Sequence, residues 1–175
     1  DFHFRNLGRE HGLAQNTVTA FAQDAEGFVW VGTQGGLHRY DGQRYHLFRH
    51  DPRDPASLPD SYVTALAVEG RDAMWVGTYS EFLARLDLHD GQIKRFAVDG
   101  GTALPGSPRK QVLAILPVDG KLWVGTQGGL LFEILLDVGV LVGNVQAGHH
   151  AGGDHARVIP AARWRGAARA HFGIQ

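Results

Sequence analysis

Apolar and polar positions along this chain fall into short runs that recur in a fixed order. Val18-Thr19-Ala20-Phe21-Ala22-Gln23-Asp24, Val63-Thr64-Ala65-Leu66-Ala67-Val68-Glu69 and Val112-Leu113-Ala114-Ile115-Leu116-Pro117-Val118-Asp119 each lead, through a turn, to the tetrad Trp-Val-Gly-Thr at 30–33, 75–78 and 123–126. The step from Trp30 to Trp75 is 45 residues and that from Trp75 to Trp123 is 48, a period that marks stacked supersecondary units. The runs are rich in Val, Phe, Trp and Thr and are bounded by Gly and Asp-Gly pairs, which is strand-and-turn chemistry. Strands are expected over 17–23, 28–33, 37–40 and 44–49, then over 62–68, 73–78, 83–88 and 92–98, and again over 111–118, 122–126 and 130–134. An outer strand for the third unit is placed at 140–145. Four antiparallel strands per repeat is the arithmetic of a β-propeller blade, so the fold class expected is all-β: three blades (16–50, 61–98 and 111–145) in an open arc with an irregular C-terminal tail.

The tetrad then has a physical job. An indole buries on the order of 150 to 250 Å², enough to fix how one sheet lies on the next, and the following Gly lets a neighbouring backbone approach. Trp30, Trp75 and Trp123 are therefore expected as packing anchors.

Composition narrows the function. The 175 residues carry a net charge of −1, which gives no electrostatic footprint for nucleic acid or an anionic membrane. With no cysteine, disulfide scaffolds and thiolate metal sites are excluded. No apolar stretch reaches the length of a membrane span, no secretory leader is visible, and Asp1 at the start fits a processed or cut chain. Paired carboxylates at Asp24 and Glu26, and at Asp51 and Asp54, have the chemistry of acid–base catalysis, but they sit in turn and linker text where Asp serves the backbone. The serines lack a nucleophile-elbow context. No catalytic residue, metal site or cofactor is assigned.

After Phe132 the language changes: 135–175 contains no Ser, Thr, Lys, Glu or Tyr. Residues 1–134 read as the partial propeller and 146–175 as a low-complexity or non-native tail, for which translation in a shifted frame is the favoured origin. Within the tail, His149-His150 with Asp154-His155 offers metal-binding residue types, but a solvated biased segment explains them. Arginines around Trp164 are set aside in the same way.

Three stretches carry a resemblance: Asn16-Thr17-Val18-Thr19-Ala20; Asp24-x-x-Gly27-Phe28-x-Trp30-Val31-Gly32-Thr33; and Gly36-Leu37-x-Arg39-Tyr40-Asp41-Gly42. They resemble the two-component regulator propeller repeat, as do the Pro/Asp/Ser linker over 49–60 and the openings at 4–7 and 12–16. The resemblance covers roughly 3–132. It implies the periplasmic sensory region of membrane-bound histidine kinases, hybrid kinases and diguanylate cyclases, with about seven blades and a terminal strand, here 2–7, that completes the last blade. The second repeat departs from the pattern: Phe82 stands where a Gly is usual, so its second hairpin must turn differently or strain.

Propellers bind ligands on the face where the second hairpin and the between-blade connection emerge. That nominates Asn16, Gln34, Tyr62, Tyr79, Glu81 and Gln127 as ligand-binding residues for an extracellular small molecule, sugar or peptide. The expected partners are further blades and a downstream transmembrane kinase or cyclase, with no nucleic acid. The function expected is a non-enzymatic periplasmic ligand sensor. An enzymatic lyase or hydrolase propeller, or a structural interaction platform, is the alternative.

Overall fold

The computed structural model describes residue 3 and residues 8–80, 82–98, 111–127, 130–135 and 156–160. Three antiparallel sheets follow one another along the chain. The first contains β1 (Val18–Gln23), β2 (Val29–Thr33), β3 (Gly36–Tyr40) and β4 (Tyr45–Phe48); the second contains β5 (Val63–Glu69), β6 (Ala73–Thr78), β7 (Phe82–Asp87) and β8 (Ile93–Ala97). The third contains β9 (Val112–Val118), β10 (Lys121–Thr126), β11 (Leu130–Leu135) and β12 (Ala156–Pro160). In each, the strands pair in chain order as a meander, and the first strands β1, β5 and β9 lie side by side at the inner edge. This is the three-bladed open propeller the repeats predict, and the boundaries of β1 to β11 fall within two residues of the expected ones. The fourth strand of the third blade is Ala156–Pro160, paired to β11 from Leu130↔Pro160 to Ile134↔Ala156. The expected outer strand at 140–145, the closing strand at 2–7 and the histidine cluster of the tail lie outside the described residues.

The same three contacts make both interfaces between blades. First, the indole: Trp30 packs among Leu58, Val63, Met74, Val76 and Leu86 of the linker and second blade, and Trp75 packs with Val112, Leu122 and Val124 of the third. They are 2% and 1% exposed. Trp123 is only half-buried.

Second, the glycine. A Cβ at Gly32 would lie 2.7 Å from Cγ1 of Val63, and one at Gly77 would lie 2.7 Å from Cγ1 of Val112, so only Gly leaves room for the leading valine of the next blade.

Third, a threonine on a bulge. The β1–β2 register shifts between Val18 and Ala20, and the β5–β6 register between Val63 and Ala65. A bulge re-aims its extra residue, and here Thr19 Oγ1 donates to the Val63 carbonyl at 2.6 Å while Thr64 Oγ1 donates to the Val112 carbonyl at 2.5 Å. The third blade keeps the bulge, between Val112 and Ala114, but carries Leu113 on it.

The linker between the first two blades is ordered by its own polar side chains. Asp51 accepts from the Arg53 backbone and guanidinium, Ser57 Oγ accepts from Asp51 N–H, and His50 Nδ1 donates to the Leu58 carbonyl at 2.7 Å. Arg95, on the outer strand β8, then ties the linker to the second blade, donating to the carbonyls of Asp54, Ser57 and Leu58. Leu58 is thereby held fully buried between the blades.

Leu13 stands as far before Val18 as Leu58 does before Val63, and it too is buried. The residue after it, Ala14, donates its N–H to Nε2 of the buried His38 at 3.0 Å. The ring's Nδ1 lies 3.3 Å from the Val31 carbonyl, which fixes Nδ1 as the protonated nitrogen. In the second blade the corresponding residues are Pro59, which has no N–H to give, and Ala84, which pairs with Val76 as His38 does with Val31 and has no side-chain acceptor.

Phe82 starts β7 and is not at positive φ; Asp119 is the sole non-glycine with positive φ among the described residues. The hairpin turns differently from its counterpart in the first blade. There Thr33 Oγ1 donates to the Gly36 carbonyl, and Gly36 sits at φ 144°. In the second blade Thr78 Oγ1 likewise reaches the Phe82 carbonyl, at 3.3 Å, but it also joins the Ser80 hydroxyl at 2.7 Å, and Ser80 Oγ accepts from the Phe82 N–H at 3.3 Å.

Candidate functional site

The sites nominated from the sequence lie at the end of the blades where each first strand begins and each second strand finishes. Val63 pairs with Thr78, so the next residues outward, Tyr62 and Tyr79, face each other across the same ladder. Tyr79 N–H donates to the Tyr62 carbonyl at 2.9 Å, and the rings stack with centroids 5.1 Å apart and planes 9° from parallel.

Neighbouring blades add amides. Gln34, from the β2–β3 turn, points Nε2 at the Tyr62 hydroxyl at 3.4 Å, and Gln15 Nε2 reaches Gln34 Oε1 at 3.5 Å. Gln15 is itself steadied by accepting from Thr17 N–H at 2.8 Å. On the third blade Gln127 N–H donates to the Gln111 carbonyl at 2.9 Å, repeating the tyrosine arrangement with amide side chains.

Thus Gln34, Tyr62 and Tyr79 come together, and Gln127 occupies the same position one blade on. Asn16 is exposed, and it is Gln15 rather than Asn16 whose side chain meets Gln34. Glu81 lies outside the described residues. Gln15 and Gln111 were missed by sequence reasoning. The register would have found them, since each precedes a first strand near a residue already nominated.

The opposite end carries the charged groups. Asp24 Oδ1 accepts from the N–H groups of Glu26 and Phe28, and Oδ2 accepts from Trp30 Nε1 at 2.8 Å. Both oxygens therefore serve the turn and the indole. The Arg39 guanidinium lies over the rings of Phe28 at 4.9 Å and Trp30 at 5.9 Å. A shallow cleft is lined by Asp24, Glu26, Arg39, Arg71 and His89, and Asp72, 2.9 Å from His89 Nε2, raises that imidazole's pKa.

In the second blade the acid takes the arginine instead: Glu69 binds Arg85 Nε at 3.0 Å. Trp75 Nε1 is left buried without a hydrogen-bond partner. Asp51 is engaged by Arg53, which holds its carboxyl below the usual carboxylate range, and Asp54 Oδ1 accepts from Ala56 N–H. Of the carboxylates considered for acid–base chemistry, Asp24, Asp51 and Asp54 are thus joined to local backbone.

A meander of four strands, repeated with indole, glycine and threonine contacts between sheets, defines a segment of a β-propeller. Residues 12–35 match the two component regulator propeller family. Over 58 residues it is 36% identical to histidine kinase P4 of Formosa agariphila, a match spanning 33% of this chain and 4% of that kinase. Among solved structures, the extracellular domain of the hybrid two component system BT4673 from B. thetaiotaomicron superposes with a TM-score of 0.59 at 20% identity, over 72% of this chain and 16% of that one. A second structure of a BT4673 extracellular domain gives 0.54 at 19% identity, over 72% and 15%. These likenesses establish the fold.

Proposed function

We propose that this chain is part of the ligand-sensing propeller of a periplasmic receptor whose output is a two-component histidine kinase or a diguanylate cyclase. The observation that carries the reading is the rim. A stacked tyrosine pair on the middle blade meets an amide from the first blade, on the end of the propeller where connections between blades emerge, and Gln127 holds the equivalent position of the third blade. Flat aromatic faces bind apolar ring faces, and amides supply both donors and acceptors around them. A neutral extracellular solute such as a sugar or a peptide suits that chemistry.

The family repeat at 12–35 and the resemblance to extracellular two-component domains support an extracytoplasmic address. The engagement of Asp24, Asp51 and Asp54 by backbone groups favours binding over catalysis. The further blades and the transmembrane output domain are the partners this reading requires.

The test is a thermal-shift screen of the chain against neutral oligosaccharides and short peptides, repeated on Tyr62→Ala and Tyr79→Ala. A ligand that raises the melting temperature of the parent and of neither variant supports the reading. Equal shifts in all three would place binding elsewhere and overturn it.

A further inference from the structure

The amides of the rim form a chain whose direction is fixed at one end. A backbone N–H can only donate, so the Gln15 atom that meets Thr17 N–H at 2.8 Å is its carbonyl oxygen Oε1. That leaves Gln15 Nε2 to face Gln34, which answers with Oε1 at 3.5 Å. Gln34 therefore turns its own Nε2 to the Tyr62 hydroxyl, at 3.4 Å. A side-chain amide donates through nitrogen and accepts through oxygen, so one backbone donor sets the sense of every link after it.

The last link ends on an oxygen that accepts. A phenol has a single proton, and with Gln34 donating to its oxygen the Tyr62 O–H is left to donate elsewhere. Among the described residues nothing accepts it. The backbone of Tyr62 is already engaged: its N–H donates to Asp60 Oδ1 at 2.9 Å and its carbonyl accepts from Tyr79 N–H at 2.9 Å. Each amide nitrogen also keeps a second N–H beyond the one used in the chain. Donors therefore outnumber acceptors here, beside a Tyr79 ring that is 41% exposed and stacked on Tyr62.

Charge narrows the match. The Asp60 carboxylate stands one hydrogen bond from Tyr62, and Gln15, Gln34, Tyr62, Tyr79, Gln111 and Gln127 bring no cation. An anionic acceptor would meet repulsion with no countercharge from these residues, so a neutral oxygen fits better.

We propose that the rim recognises its ligand by an amide carbonyl, whose oxygen accepts from the Tyr62 hydroxyl while the rest of the ligand lies against the tyrosine pair. Gln15 is a positioning residue: acting through Gln34, it sets which way the hydroxyl points. The inference rests on the rim being the binding site. A peptide and an acylamino sugar share this carbonyl, and separate probes tell them apart.

Calorimetric titration of the whole chain tests it with three probes: cellobiose, N,N′-diacetylchitobiose, which has an acetamido group in place of a hydroxyl on each ring, and N-acetyl-alanyl-alanine methylamide. Tyr62→Phe keeps the ring and removes the O–H, and is expected to weaken a carbonyl probe about fivefold, the worth of one neutral hydrogen bond, and cellobiose by less. An ionised carboxylate only accepts, so Gln15→Glu takes both Thr17 N–H and Gln34 Nε2, turns Gln34 Oε1 to Tyr62 and draws the hydroxyl proton inward. It is expected to reproduce the loss seen in Tyr62→Phe and to add nothing when combined with it. Should Tyr62→Phe fail to fold, Gln15→Glu carries the same expectation. Whichever carbonyl probe behaves this way, sugar or peptide, names the source of the carbonyl. A carbonyl probe whose binding is lost in Tyr79→Ala but indifferent to Tyr62→Phe and Gln15→Glu would overturn the inference while leaving the rim as the site. If neither carbonyl probe binds, the inference falls whatever a wider screen finds at the rim.

Discussion

Val63 of the second blade rests on Gly32 of the first, so close that a methyl group at position 32 would fall 2.7 Å from the valine's Cγ1. Val112 and Gly77 repeat the relationship. The recurring glycine is therefore set by the neighbouring sheet and not by its own backbone, which needs no positive φ at either position.

Gly77→Ala should accordingly overpack the second interface and cost about 1 to 3 kcal/mol. Gly125→Ala, with its nearest neighbour at 3.7 Å, should change stability by less than about 0.5 kcal/mol. Urea unfolding of the two variants measures the difference. Equal losses would show that the glycine is required by its own strand.

The indoles should divide in the same way. Replacing Trp75 by Ala removes a ring that is 1% exposed at a blade interface and should cost about 3 to 5 kcal/mol. The same change at half-buried Trp123 should cost clearly less. Denaturant midpoints on both variants check the order.

The bulged threonines give a smaller effect. Thr64→Val keeps the volume but removes the hydroxyl that reaches the Val112 carbonyl at 2.5 Å, a loss of about 1 kcal/mol. Thr64→Ser should restore most of it. If serine is no better than valine, methyl packing and not the hydrogen bond is what position 64 supplies.

His38 makes stability depend on pH. Its ring is buried, accepts a hydrogen bond from Ala14 and has its pKa pushed below the ordinary 6.5, chiefly by burial. The unfolded chain then takes up a proton at a higher pH than the folded one, so stability rises with pH in that window. The contribution is complete above about pH 6.5 and declines as pH falls toward the lowered folded value. Tyr45, edge-on at 5.8 Å, and the charge of Arg49 also bear on the ring. Melting temperatures between pH 7.5 and 5 should fall in the parent and fall less steeply in His38→Gln, which keeps an acceptor for the Ala14 N–H.

Much of this fold is legible in the sequence because each repeat is one local sheet whose pattern lies within a single stretch of chain. The alternation around Val18, Val63 and Val112 and the turn residues fix the strands to within two positions. The contacts between blades are less legible. Thr19 and Thr64 read as ordinary strand residues, since a bulge leaves no mark in composition, and their role appears only when the next sheet is in place. The same holds for the rim: Tyr62 and Tyr79 can be nominated from position, but their stacking follows from the pairing of Val63 with Thr78. The outer strand of the third blade was sought in the apolar text at 140–145, whereas Ala156–Pro160 occupies that edge; among alternating apolar residues near a sheet edge, composition does not say which segment pairs.

The pairing of Ala14 with His38, beside Pro59 with Ala84, has a consequence for how such units can be recombined. Each connecting segment is keyed to one sheet. Transplanting 57–61 in front of the first blade would leave the imidazole without its donor, while moving 12–16 ahead of the second would bring an amide N–H to a methyl group that cannot receive it. Shuffled genes that cut between linker and blade should lose this match, and those that carry the two across together should keep it.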